Sequence, residues 1–168
     1  MPSPVIIDTN ILIDHFNGLP EARRELSYYG DVVISIITWM EMMSAYEARL
    51  VAGVLSAVEF EAANLMLSSF PVVRIDERTM REAAKVRGNS LYLKRKLALP
   101  DAIIEATAKT TKRILVTRNT KDFDMYADHV RVPYIVQTTS GAKTVPVNLF
   151  TPLSRLRNTV TYIAMPPS

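Results

Sequence analysis

The chain has 168 residues, 20 of them basic and 17 acidic, no cysteine, and two histidines, His15 and His129. One domain of that length can bury a sizeable core without staples, and the missing cysteines exclude disulfides and thiolate zinc sites. Two histidines are too few for a multi-histidine metal centre, so carboxylates must hold any bound metal, which favours hard cations.

The start of the chain lacks a basic region followed by a long apolar run, and no stretch approaches a membrane helix in length. The expectation is a cytoplasmic protein with no membrane association. The net charge of +3 sits in the last part of the chain. From Thr138 onward come Lys143, Arg155 and Arg157 with no acidic residue, while the rest is balanced.

Val5–Ile7 is a short apolar run of the kind a buried parallel strand makes. Asp8-Thr9-Asn10 follows, then a short helical pattern through Ile11, Leu12, Ile13 and Phe16, broken at Asn17-Gly18-Leu19-Pro20. Glu21 to Tyr29 reads as a helix stopped by Gly30, and Val32–Ile34 as a second strand. Thr38 to Glu41 has the Thr-x-x-Glu form of a capping box, which predicts a helix running to about Val51. Another helix is expected over Leu55–Ser69, and a third strand over Pro71–Ile75. Asp76 or Thr79 then opens a long helix to about Leu97, with a break expected near Gly88-Asn89. Pro100-Asp101 opens the next helix, with proline at its first position, ending near Lys112. Ile114–Val116 is a fourth strand, and Thr117 to Phe123 a polar turn entering a short helix. Val130 to Val136 is a fifth strand, which Pro133 places at an edge.

Beyond Thr138 the pattern fades among Pro146, Pro152, Pro166 and Pro167. The organisation expected is therefore a domain over 1–137 followed by an irregular C-terminal extension over 138–168. Alternation of strands and helices predicts an α/β protein, a three-layer α/β/α sandwich around a central, mostly parallel sheet of about five strands.

In such sheets functional groups gather beyond the carboxyl ends of the strands. Asp8 follows strand one, Glu41 lies on the first turn after strand two, Asp101 opens the helix before strand four, and Asn119 and Asp122 follow strand four. Each has a structural alternative: Asp8 and Asn119 as caps, Glu41 as the glutamate of its capping box, Asp101 as a complement to the helix dipole, Asp122 as a turn residue. Their coincidence on one edge of the sheet favours a site. Two like charges 4 Å apart repel by about 4 kcal/mol at an effective dielectric near 20, so a carboxylate cluster calls for a cation or for protonation. A divalent cation there, with its waters, suits phosphodiester cleavage.

At these residues the sequence resembles the PIN-domain nucleases, particularly the VapC-type toxins. Val5-Ile6-Ile7-Asp8-Thr9-Asn10-Ile11-Leu12-Ile13 is similar to the first family motif, and Ser35-Ile36-Ile37-Thr38-Trp39-Met40-Glu41 to the second. Leu99-Pro100-Asp101-Ala102-Ile103-Ile104-Glu105-Ala106-Thr107-Ala108 is similar to the third, and Leu115-Val116-Thr117-Arg118-Asn119-Thr120-Lys121-Asp122-Phe123 to the fourth. The resemblance implies a PIN-like α/β/α sandwich and Mg²⁺-dependent endonucleolytic cleavage of RNA, with Mn²⁺ substituting. It makes Asp8 and Asp101 the principal metal ligands, with Glu41 completing the acidic site. Some relatives carry aspartate where Asn119 stands, and Asp122 can supply that charge. It also implies a homodimer, a small antitoxin partner and a role as the toxin of a type II pair that blocks translation.

Homodimerisation would use the apolar residues Met40, Met42, Met43, Tyr46, Leu50 and Val54, which can equally be core. Trp39 reads as core. The basic residues that could meet RNA are Lys94, Arg95, Lys96 and Arg118, together with Arg87, Lys109 and Lys112. Two alternatives stand beside this reading. One is a degenerate PIN-fold module that binds RNA or protein without cleaving. The other is an aspartyl-nucleophile phosphatase, disfavoured because residue 10 is Asn10 where that chemistry needs a second acid.

Overall fold

The computed structural model describes residues 3–95, 97–138 and 160–164. Five strands, β1 (Val5–Ile7), β2 (Val32–Ser35), β3 (Val72–Val73), β4 (Ile114–Val116) and β5 (Val130–Arg131), form one parallel sheet in the order β3-β2-β1-β4-β5. Ile7 is level with Ile34 on one side and Val116 on the other, and Ile6 with Val33 and Leu115. Because side chains alternate along a strand, the sheet buries both faces. Val5, Ile7, Ile34 and Val116 join one core cluster, and Ile6, Val33 and Leu115 join another. This is why the strands are uninterrupted apolar runs.

Six helices cover the sheet: α1 (Thr9–Phe16), α2 (Pro20–Tyr28), α3 (Ile36–Val51), α4 (Ala57–Ser68), α5 (Glu77–Tyr92) and α6 (Leu99–Thr111). The first cluster takes Ile11 and Leu12 of α1, Ala22 and Leu26 of α2, Met42 and Tyr46 of α3, and Ala63 and Leu67 of α4. The second takes Ile104 and Ala108 of α6. Helices therefore lie on both faces, the three-layer arrangement expected from the alternating sequence. Val86 of α5, Ala102 of α6 and Leu97 just before α6 form a satellite cluster, and the Thr79 and Thr110 hydroxyls meet at 3.1 Å. The first turn of α5 thus lies beside the last turn of α6, so the two run antiparallel.

Several boundaries differ from expectation. The cap of α3 is Ser35, whose Oγ accepts from the Thr38 amide at 2.9 Å, so the expected Thr38–Glu41 capping box does not form. Serine at the end of β2 captures the amide one turn earlier. A capping box does form at Ser56 and Glu59, opening α4. Gly88-Asn89 leaves α5 unbroken, and the helix stops at Tyr92, where Lys94 turns to a left-handed φ of 55°. Residues 117–123 form turns without a helix. The single strand expected over Val130–Val136 is split at Pro133, which lacks the amide proton a ladder needs. Its first part is β5, at the sheet edge, and its second is β6 (Tyr134–Thr138), which pairs antiparallel with β7 (Val160–Ala164). Residues 160–164, expected in the irregular extension, are therefore a strand.

Candidate active site

Crossovers from β1 and β4 diverge, so a crevice opens between the carboxyl ends of these neighbouring strands, the place where α/β sheets bind ligands. The Asp8 amide donates to the Val116 carbonyl at 3.0 Å, which locks the two strand ends together. Asp8 is both cap and site residue: its Oδ1 accepts from the Thr9 amide at 2.7 Å, and its Oδ2 accepts from Thr117 Oγ1 at 2.6 Å and from Asn10 Nδ2. Burial pushes the Asp8 carboxyl above its ordinary range and Glu41 adds to the rise, while the hydrogen bonds from Thr117, Thr9 and Asn10 oppose it.

Thr117 is fully buried and is the hub of the crevice. Besides donating to Asp8, its hydroxyl oxygen accepts from Asn10 Nδ2 at 3.2 Å and from the Asn119 amide at 3.0 Å. Asn119 Nδ2 in turn donates to Asp122 Oδ2 at 2.7 Å. The Asn10 side chain accepts from the Arg118 amide at 3.1 Å, closing the network between the two loops. Thr9, Asn10 and Thr117 lie inside the motifs, but nothing in the sequence assigns them to the nuclease site. The usable signal is position: Thr117 follows β4 directly, as Asp8 follows β1.

Glu41 projects from the second turn of α3, one turn later than expected, because the helix starts at Ile36. It is exposed, and its Oε2 accepts a hydrogen bond from Thr9 Oγ1. With no capping box to serve, its structural alternative falls away. Asp101 lies in the first turn of α6, which has Pro100 at its start and no side-chain cap. Partial burial raises the Asp101 carboxyl to about 6, reinforced in turn by the negative charges of Asp122, Asp8 and Glu41. The structure therefore brings Asp8, Glu41, Asp101, Asn119 and Asp122 into one electrostatic neighbourhood.

The donors are carboxylate, amide and hydroxyl oxygens, the chemistry of a hard-cation site. Among the described residues, no three acidic or histidine side chains are drawn into a finished metal cage. A cation held by one or two carboxylates and several waters needs no such cage, so the donor set fits Mg²⁺ or Mn²⁺.

The basic residues divide. Arg118 is ion-paired to buried Asp14, Nε to Oδ2 at 2.8 Å, with its side chain 28% exposed. The Tyr134 hydroxyl donates to the same Asp14 oxygen at 3.0 Å. The Asp14 carboxyl is raised by its burial and lowered by Arg118 and Tyr134, with burial the larger effect. Lys109 pairs with Glu105 at 2.8 Å, and Lys112 caps the far end of α6, about 16 Å along the axis from Asp101. Arg87 is half-buried on α5. Lys94 and Arg95 are exposed in the loop that leads into α6. Lys96 lies outside the described residues.

The Met-rich stripe also divides. Met42 and Tyr46 are buried, Met43 and Trp39 pack half-buried against the core, and Met40 and Val54 are exposed.

No curated protein matches the chain. Among solved structures, a chain of a toxin–antitoxin complex from Klebsiella pneumoniae is 36% identical, with a TM-score of 0.65 over 78% of this chain and 98% of that one. The DNA-bound VapBC complex from Salmonella typhimurium matches at 20% identity and a TM-score of 0.64, covering 73% of this chain and 92% of that one. FitAcB from Neisseria gonorrhoeae matches at 23% identity and a TM-score of 0.60, covering 71% and 90%. These last two share the fold. The family model of the PIN domain matches residues 5–128, which hold all four motifs and all five site residues. The chain belongs to the PIN-domain family.

Proposed function

We propose that this chain is a Mg²⁺-dependent endoribonuclease, with Mn²⁺ able to substitute, and the toxin of a type II toxin–antitoxin pair that blocks translation. The observation that carries the reading is the convergence of Asp8, Glu41, Asp101 and Asp122, from four separate segments, on the crevice between β1 and β4. Nothing in a structural role requires so much like charge in one place, and a divalent cation discharges it. PIN domains are generally nucleases, which supports the same chemistry.

In this reading Asp8 and Asp101 are the principal ligands, with Glu41 and Asp122 completing the acidic set. Asn119 offers its carbonyl oxygen, its amide being spent on Asp122. When bound, the cation polarises a phosphoryl oxygen and lowers the pKa of a water. The chain's own contribution is positioning. Thr117 and Asn10 hold the Asp8 carboxylate at a fixed angle, and Thr9 tethers Glu41 within reach of a water approaching from solvent.

The 36%-identical chain from a toxin–antitoxin complex supports a small antitoxin as partner. Exposed Val51, Val54, Val58, Leu65 and Met66 around α3 and α4 support a face covered by protein, in keeping with a homodimer. Among the described residues no helix is long and apolar enough to cross a membrane, which is compatible with the proposed cytoplasmic location.

The test is cleavage of labelled RNA by purified protein. Chelation should abolish cleavage and added Mg²⁺ restore it, while Asp8→Asn and Asp101→Asn should each cut the rate by at least a hundredfold. Wild-type rates in either variant, or cleavage that persists under chelation, would overturn the assignment. RNA binding without metal affinity would favour the non-cleaving module instead.

A further inference from the structure

Tyr92 is the last residue of α5 and is 86% exposed. Leu91, Leu93 and Leu99 beside it are each more than half exposed. Because α5 and α6 run antiparallel, the end of α5 and the first turn of α6, which carries Asp101, share one end of the helix pair.

Hydrogen bonds hold Arg95 and Leu97 to the last turn of α5. Buried Ser90 donates from Oγ to the Arg95 carbonyl at 3.1 Å and accepts from the Leu97 amide at 3.2 Å. The Arg95 amide donates to the Ser90 carbonyl at 2.8 Å. Leu97 is itself buried, which anchors the loop's exit. Tyr92 thus presents an aromatic ring to water at the end of the α5–α6 pair that carries Asp101.

An acidic site repels a polyanion, so a nucleic-acid substrate needs cations close by. Three candidates are already spent: Arg118 on Asp14, Lys109 on Glu105 and Arg131 on Glu25. Lys94 and Arg95 are exposed, make no ion pair among the described residues, and follow Tyr92 by two and three positions. Two cations so close in the chain to an exposed aromatic match the way proteins hold single strands, with phosphates on the charges and a base on the ring. A second copy of the chain is the poorer occupant, because a twofold contact here would bring like charges together.

We propose that Tyr92, Lys94 and Arg95 form a platform for an unpaired stretch of the RNA substrate, with Tyr92 stacking on a base and the two cations on the neighbouring phosphates. The platform makes the enzyme selective for single-stranded loops or ends, since a duplex keeps its base faces covered. This inference rests on the nuclease reading of the adjacent site.

The experiment separates binding from chemistry. Fluorescence anisotropy of a labelled, unstructured oligoribonucleotide is measured with full-length protein under chelation, alongside a duplex of the same length. Tyr92→Ala should weaken single-strand binding roughly tenfold, and Tyr92→Phe should restore it. Duplex binding should barely change. Lys94→Ala with Arg95→Ala should flatten the salt dependence by about 1.4 in log–log slope. Each variant is checked by thermal melting, and Tyr92 is exposed enough that the fold should be unaffected. Unchanged single-strand affinity in Tyr92→Ala would overturn the platform. So would a loss of self-association with RNA affinity intact, which would assign these residues to a second copy. If the oligonucleotide binds through Tyr92 but no metal supports cleavage, the nuclease reading fails while the platform stands.

Discussion

Replacing Asp101 by asparagine keeps the side chain's shape and removes one charge from a cluster in which Asp122, Asp8 and Glu41 all oppose its ionisation. Its carboxyl rises from 3.8 to about 6, a difference worth roughly 3 kcal/mol at 1.36 kcal/mol per pKa unit. Asp101 is only partly buried, so solvent screening reduces the usable effect to about 1 kcal/mol. Between pH 4 and 6 the folded chain binds more protons than the unfolded one, so metal-free wild type loses stability as pH rises through that window. Asp101→Asn has no such step. At pH 7.5, under chelation, the variant should melt about 2–4 °C above wild type, and the gap should close as pH falls to 4. Asp8 is coupled to Asp101, so the difference reports the charge of Asp101 together with its effect on Asp8. A variant that melts below wild type, or a gap that does not change with pH, would refute the electrostatic account.

Thr117→Val removes a buried hydroxyl that donates to Asp8 and accepts from two amides. It should cost about 1–3 kcal/mol in denaturant unfolding, while Thr117→Ser should recover most of the loss. Arg118→Ala leaves Asp14 buried beside Tyr134 without its cation. It should destabilise by about 3 kcal/mol at neutral pH, and the loss should shrink on acidification as Asp14 takes up a proton. Ser56→Ala should cost about 1 kcal/mol through loss of the capping box on α4, with no effect on RNA cleavage.

The strands and most helices were legible because burial on both faces leaves continuous apolar runs, and helices alternate with them. The acids were legible because strand ends mark the sheet's functional edge. What escaped was long-range or competitive. Thr117 looks ordinary in sequence; its importance comes from Asp8, 109 positions earlier. Arg118 reads as an RNA contact in sequence, and only the fold shows that Asp14, 104 positions away, pairs with it. Ser35 and Thr38 are both good caps, and only the chain's exit from β2 decides for Ser35. That choice moves Glu41 to the second turn and leaves it to Thr9. Pro133 points to an edge strand, and β5 is one, but the proline itself lies between two sheets, and β6 beyond it pairs with a segment of the expected extension.

The cation site proposed at the carboxylates beyond β1 and β4 is open to one direct measurement. Titrating Mn²⁺ into the protein, with free Mn²⁺ followed by electron paramagnetic resonance, tests it without reference to any RNA. Wild type should bind Mn²⁺, and Asp8→Asn and Asp101→Asn should each weaken binding at least tenfold. Equal Mn²⁺ binding by wild type and both variants, or none by any of them, would contradict it.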